Sequence, residues 1–173
     1  MLPSTLPLFL LLPLLSIAAA GPLEDTCQAI SASRPDLTSN LCITALSADP
    51  ACHSADRRGL AIIAARISIA NATNISIIIH RLMDAGTDPM TANCLSVCLD
   101  VYSDAVDHLR DAADGINSGK YDDAVTFLSA AVDAAENCED AFGDEGMSSP
   151  VAEEDRRFER MAEIALAIAA NLK

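Results

Sequence analysis

Apolar residues recur every three or four positions through most of the chain, the spacing of a helix face and not of a strand. Leu23 to Ala48 reads as a short helical hairpin, broken at Arg34-Pro35-Asp36 and ended by Asp49-Pro50. From about Ala55 to Ala85, one face of a long helix collects Leu60, Ile63, Ile67, Ala70, Ile77 or Ile78, and Leu82. Gly86 suits its C-terminus, Asp88 can cap the next helix, and Pro89 can take its first position. That helix turns Cys94, Cys98, Val101, Ala105, Leu109, Ala112 and Ile116 inward and stops near Asn117-Ser118-Gly119. A further helix, about Lys120 to Phe142, carries Tyr121, Val125, Leu128, Val132, Ala135 and Cys138 on one side, and Gly143 to Gly146 ends it. Ser149-Pro150 opens the last, with Glu153, Glu154 and Asp155 near its positive end and Met161, Ile164, Ile168 and Leu172 as its buried stripe. The pattern predicts an all-α fold: an antiparallel four-helix bundle over 53–173, preceded by a helical hairpin over 23–50 and lying outside it.

The first twenty residues stand apart. Leu6 to Ala20 is an uncharged apolar run interrupted by Pro7 and Pro13 and closed by Ala18-Ala19-Ala20. It reads as a signal peptide over 1–20, cut after Ala20, although no Lys or Arg precedes it. The run is short for a membrane span, and no second candidate is expected further on, so the mature chain, 21–173, should leave the membrane after cleavage. Secretion places the cysteines where they can pair.

Composition sharpens this picture. With 51% hydrophobic residues, the 173-residue chain can bury a core, and 3% aromatics fit an alanine-rich bundle better than a sheet. A formal charge of −14 makes nucleic acid a poor partner. The charge is uneven: residues 21–93 hold 5 basic and 7 acidic residues, and residues 94–173 hold 6 and 18.

Six cysteines allow fifteen complete pairings. Cys27 and Cys42 lie on the two arms of the hairpin. Antiparallel packing brings the start of the third long stretch, with Cys94 and Cys98, beside the end of the next, with Cys138. Cys52 and Cys94 fall at opposite ends of the bundle, some 45 Å apart along the intervening helix, too far to join. Geometry favours Cys27–Cys42 with Cys98–Cys138 and leaves Cys94–Cys138 as the rival. Cys52 and Cys94 are then unpaired or used between chains.

The main surface feature is a row of aspartates, Asp100, Asp104, Asp107, Asp111 and Asp114, opposite the Cys98–Ala105–Ala112 face. A solvated helix face is the plain explanation. Like charges one turn apart nevertheless oppose the helix by about 0.2–0.5 kcal/mol each, and Arg110, off the row, is its only basic neighbour. Such a face gains a purpose if something cationic docks there. The helical spacing does not match a calcium loop. Asn71-Ala72-Thr73 and Asn74-Ile75-Ser76 are candidate glycosylation sequons, too close for both to be occupied. His53, His80 and His108 lie on scattered faces with no nucleophile–base pattern, the glycines form no phosphate cradle, and oxidation outcompetes zinc at Cys94-x-x-x-Cys98. No enzyme activity, metal or cofactor is expected.

Several runs resemble a known family. Thr26-Cys27, then Leu41-Cys42-Ile43-Thr44-Ala45-Leu46-Ser47-Ala48-Asp49-Pro50, Cys98-Leu99-Asp100-Val101-Tyr102-Ser103-Asp104-Ala105, and Ser129-Ala130-Ala131 to Cys138-Glu139-Asp140-Ala141-Phe142 are similar to the plant invertase and pectin methylesterase inhibitor family. The nearest likeness is to pollen-allergen members described as invertase inhibitors. The resemblance spans essentially the whole mature chain and includes the order of four cysteines. It implies the hairpin-plus-bundle fold, with disulfides Cys27–Cys42 and Cys98–Cys138. It also places Gly119-Lys120-Tyr121 where invertase-directed members carry Pro-Lys-Phe, a motif that enters the target's active site. Here glycine replaces the proline, and Lys120 and Tyr121 keep a cation and an aromatic. For the pectin methylesterase inhibitors, the resemblance implies docking through the central bundle helices.

The function expected is that of a secreted, noncatalytic inhibitor in the cell wall or apoplast, with the vacuole as the other location. It would reversibly occlude the cleft of pectin methylesterase or acid invertase. The alternative is a secreted helical protein with a lipid-carrier or structural and signalling role, although the paired-cysteine motifs of plant lipid carriers are absent.

Overall fold

The computed structural model describes residues 21–172, so the segment read as a signal peptide lies outside the described residues. The helices are α1 (Pro22–Ser33), α2 (Ser39–Leu46), α3 (Arg57–Asp84), α4 (Pro89–Asn117), α5 (Tyr121–Gly143) and α6 (Ala152–Ala170), with a 3₁₀ turn at Pro50–His53. Three of these six α-helices, α2, α3 and α4, start at a side-chain cap. Thr38 accepts from the Leu41 amide, Asp56 from Gly59, and Asp88 from Met90 and Thr91. Ser149 and Pro150 form the turn before α6, which starts two residues later than the sequence suggests; the Ser149 hydroxyl accepts from the Val151 amide.

α3 to α6 form the four-helix bundle. α3 packs on α4 and α6, and α5 packs on the same two neighbours from the other side. Two links fix the antiparallel order. Cys98, near the start of α4, is bonded to Cys138, near the end of α5, and Arg58, at the start of α3, donates to the carbonyl of Asn117, at the end of α4. Alanine dominates the contacts: Ala64 and Ala72 on α3, Ala105 and Ala112 on α4, Ala131 on α5, and Ala165 on α6 are fully or almost fully buried. Small residues let the helix backbones approach closely, so few large side chains are needed. Tyr102, Phe142 and Phe158 supply the aromatic bulk.

The long apolar stripes are rotated from the sequence expectation. On α3 the buried line is Leu60, Ala64, Ser68, Ala72, Ile75 and Ile79, whereas Ala70 and Ile77 are exposed and Ile67, Ile78 and Leu82 are half-buried. The isoleucines are too many for one face, and alanines take the tight interface. On α4, Val101 is half-buried and Tyr102 takes the core position. On α5 the buried line runs through Ala124, Leu128, Ala131 and Cys138, leaving Tyr121, Val125 and Val132 half-buried. α3 is also long and apolar enough to cross a bilayer by composition, contrary to the expectation of no second candidate; in the fold it is a bundle helix flanked by α4 and α6.

The hairpin is bonded through Cys27–Cys42, Cα atoms 5.5 Å apart. It is outside the four-helix ring but shares its core, with Leu23, Ile30, Leu37 and Leu46 buried in the same apolar cluster. Arg34 anchors it by a 2.6 Å ion pair to Glu163 on α6 and another, 3.0 Å, to Asp36. Cys52 and Cys94 are unpaired and buried, which removes them from disulfides between folded chains. The Cys94 thiol donates to the Ala141 carbonyl at 3.1 Å, so the rival pairing with Cys138 is not formed.

Candidate functional site

The aspartates stand where the helix geometry of α4 puts them. Asp100, Asp104, Asp107, Asp111 and Asp114 are all exposed and follow the crest of the helix between its two neighbours. They do not face a single groove. Asp100 and Asp107 border the hollow toward α3, with Thr73 and His80 across it, whereas Asp104 borders the α4–α5 side beside His108 and Asn137. Asp111 and Asp114 reach a third hollow at the α4–α5 turn, shared with Lys120, Asp123 and Phe127. Arg110 does not stand clear of the row: its guanidinium lies 2.9 Å from Asp107. Both side chains are more than 60% exposed, so the pair contributes well under about 1 kcal/mol. Four of the five carboxylates make no ion pair to any described residue.

The turn bearing Lys120 has a definite geometry. The Lys120 amide donates to the Gly115 carbonyl at 2.8 Å and the Gly119 amide to Ile116 at 3.1 Å, the double closure of a Schellman cap. It requires a left-handed residue at its centre, and Gly119 has φ +72°. Proline, fixed near −65°, cannot take this conformation. Lys120 is exposed on this turn among carboxylates, and Tyr121 is half-buried against the core as the first residue of α5. The structure therefore gives the aromatic a packing role and sets the cation in an acidic surround.

Both sequons lie on α3 and differ in environment. Asn74 is exposed, whereas Asn71 is half-buried and borders a groove between α2, α3 and α6. Sequence reasoning missed a further cluster. Asp155, placed by the sequence near the positive end of α6, is buried; the Tyr102 hydroxyl donates to its Oδ1 at 2.6 Å and Ser149 lies 3.5 Å from Oδ2. Glu139 of α5 abuts the same carboxyl, with its Oε1 buried and lacking a donor. Burial, reinforced by Glu139, pushes the Asp155 carboxyl well above the usual carboxylate range despite Tyr102 and Ser149. Burial and the neighbouring Asp155 likewise raise the Tyr102 phenol. The only advance signal was that Tyr102 follows the helix period of Cys98 and Ala105. Among the described residues, no group of three or more His, Cys, Asp or Glu is arranged to hold a metal ion.

A family model, plant invertase/pectin methylesterase inhibitor, matches residues 22–168. The chain belongs to that family. The match covers the hairpin, both disulfides and nearly all of the bundle, and members of the family are enzyme inhibitors and not enzymes. It is 32% identical over 160 residues to a Platanus acerifolia protein named "Putative invertase inhibitor", covering 92% of this chain and 89% of that one. It is 35% identical over 130 residues to the pectinesterase inhibitor of Actinidia deliciosa, covering 75% and 70%. Its fold matches the crystal structure of a mutant form of an Arabidopsis pectin methylesterase inhibitor with a TM-score of 0.70, at 24% identity over 87% of this chain and 97% of that one. As an inhibitor of this family it acts on a pectin methylesterase or an invertase, the pair that the relatives' names divide between them.

Proposed function

We propose that the inhibitor acts on a pectin methylesterase of the cell wall and blocks it reversibly by laying α4 across the substrate cleft. The observation that carries this reading is the crest of α4: five exposed carboxylates with one partial neutraliser, Arg110, on a helix that loses stability by carrying them. Such a face suits a target whose cleft is rimmed by cations, and complementary charge speeds encounter. The α4–α5 turn argues against the invertase mode. Its central residue adopts a conformation closed to proline, and Lys120 projects among Asp111, Asp114 and Asp123. Secretion to the wall accords with the family, which also has vacuolar members, and Asn74 is the better placed of the two glycosylation candidates.

The test is a parallel inhibition assay of the mature chain against a pectin methylesterase and an acid invertase, repeated with Asp104→Asn/Asp111→Asn at rising salt. We expect inhibition of the methylesterase only, weakening with salt, and a double variant that associates more slowly and has a shallower salt dependence. Inhibition of invertase alone, or an unchanged salt response in the variant, overturns the reading.

A further inference from the structure

The groove between α2, α3 and α6 joins apolar side chains to a cluster of arginines on this acidic protein. Its cavity of about 370 Å³ lies within the size of small-molecule sites, roughly 300–1,000 Å³. The floor is apolar: Met161 and Ile164 of α6 are buried beneath it, and Leu41, Ala45 and Ile67 remain half-buried around it. Leu41, Ala45 and Ile67 keep part of their surface open to the groove, whereas Met161 and Ile164 are already out of water beneath them. The rim carries three arginines and one carboxylate, Glu153. Arg156, Arg157 and Arg160 lie within a single stretch of α6, and together they are three of the chain's 11 basic residues. Arg157 meets Glu153 at 3.6 Å, with both side chains well exposed, and neither Arg156 nor Arg160 makes an ion pair within 4 Å of a described carboxylate.

We infer that this groove binds a single-chain fatty acid, its alkyl chain along Leu41, Ala45 and Ile67 and its carboxylate against Arg157 and Arg160. The chemistry of the lining selects the ligand. Water cannot satisfy the half-buried aliphatic surface of Leu41, Ala45 and Ile67, and methylenes laid over it leave water together with it. The floor has no aromatic ring on which a sugar could stack, and Thr44 and Asn71 are the only uncharged polar residues at the edge. Guanidinium groups form paired, charge-assisted hydrogen bonds with a carboxylate. Arg156 also borders the hollow of Glu136, Glu139 and Glu159, which leaves Arg157 and Arg160 as the head-group pair. The groove opens on the hairpin side of α6, and none of the α4 aspartates lines it, so ligand binding does not depend on which enzyme is inhibited.

The experiment is isothermal titration of the mature, disulfide-bonded chain with laurate below its micelle concentration, with lauryl alcohol and dodecyl phosphate as comparison ligands. Saturable one-to-one binding of laurate is expected, at least tenfold weaker for the alcohol. Arg157→Gln/Arg160→Gln should weaken laurate at least tenfold without changing the alcohol. Thr44→Phe, at an exposed position on the edge, should weaken both. Helicity and thermal stability of each variant establish that it is folded. No saturable laurate binding, equal binding of alcohol and laurate, or laurate binding untouched by both variants overturns the inference. Dodecyl phosphate binding tenfold more tightly than laurate also overturns it, by making a phosphate the preferred head group.

Discussion

The Tyr102 hydroxyl of α4 donates a 2.6 Å hydrogen bond to the Asp155 carboxylate of α6, and both residues are buried. α4 and α6 lie diagonally across the bundle, so this bond ties together helices that are not direct packing neighbours. Phe158, one turn after Asp155, meets the Tyr102 ring edge-on at 5.1 Å between centroids. Removing the hydroxyl keeps that ring contact and leaves Asp155 with Ser149 alone as donor. Tyr102→Phe should therefore cost about 1–3 kcal/mol, read as a lower midpoint in urea unfolding with an unchanged slope.

Stability should depend on pH in an unusual direction for a carboxylate. The folded state holds a proton on Asp155 more tightly than the unfolded chain, because burial and Glu139 raise its pKa. Between the ordinary carboxylate value, about 4, and the raised one, the folded protein binds more protons. This contribution is complete below about pH 4 and is lost as pH rises through the raised value. Asp155→Asn keeps an acceptor for Tyr102 and supplies a permanent donor toward Glu139. It should flatten this dependence, with thermal melts near neutral pH at or above those of the parent and little change in acid. A parent melting temperature that rises steadily from pH 4 to pH 8 would contradict the assignment.

The two free thiols should be silent in the native state. Cys52 and Cys94 are buried, and the other four cysteines are paired. A thiol reagent should label none in native buffer and two in denaturant. Changing both Cys98 and Cys138 to Ser opens a 40-residue closure and should cost about 4 kcal/mol on the loop-entropy model, against about 3 for the 15-residue closure at Cys27–Cys42.

Gly119 is irreplaceable for a backbone reason. At φ +72°, a Cβ costs about 1–2 kcal/mol even though nothing lies within 4 Å of where it would stand. Gly119→Ala should lower stability by that amount. Gly119→Pro, which recreates the start of the Pro-Lys-Phe motif, should be worse by several-fold and should not confer invertase inhibition. Differential scanning calorimetry and an invertase assay on the two variants check both parts.

What the sequence alone determined is the set of local and near-local facts. Helix period, the cap at Asp88, and breaks at Pro35, Gly86 and Gly119 mark the elements, because these signals act within one turn of chain. The crest of α4 was legible for the same reason: five aspartates on a fixed 100° period are exposed wherever the opposite face is buried. Which apolar residues go inside was not legible on α3, where isoleucines exceed the room and Ala64, Ser68 and Ala72 occupy the interface. The Asp155 cluster, the ion pair of Arg34 with Glu163 and the arginine-rimmed groove join residues more than 50 positions apart, or three elements at once. No periodicity encodes such meetings. They follow from how deeply the alanine contacts let the helices approach and from where the hairpin comes to rest, and these depend on the packing of the whole chain.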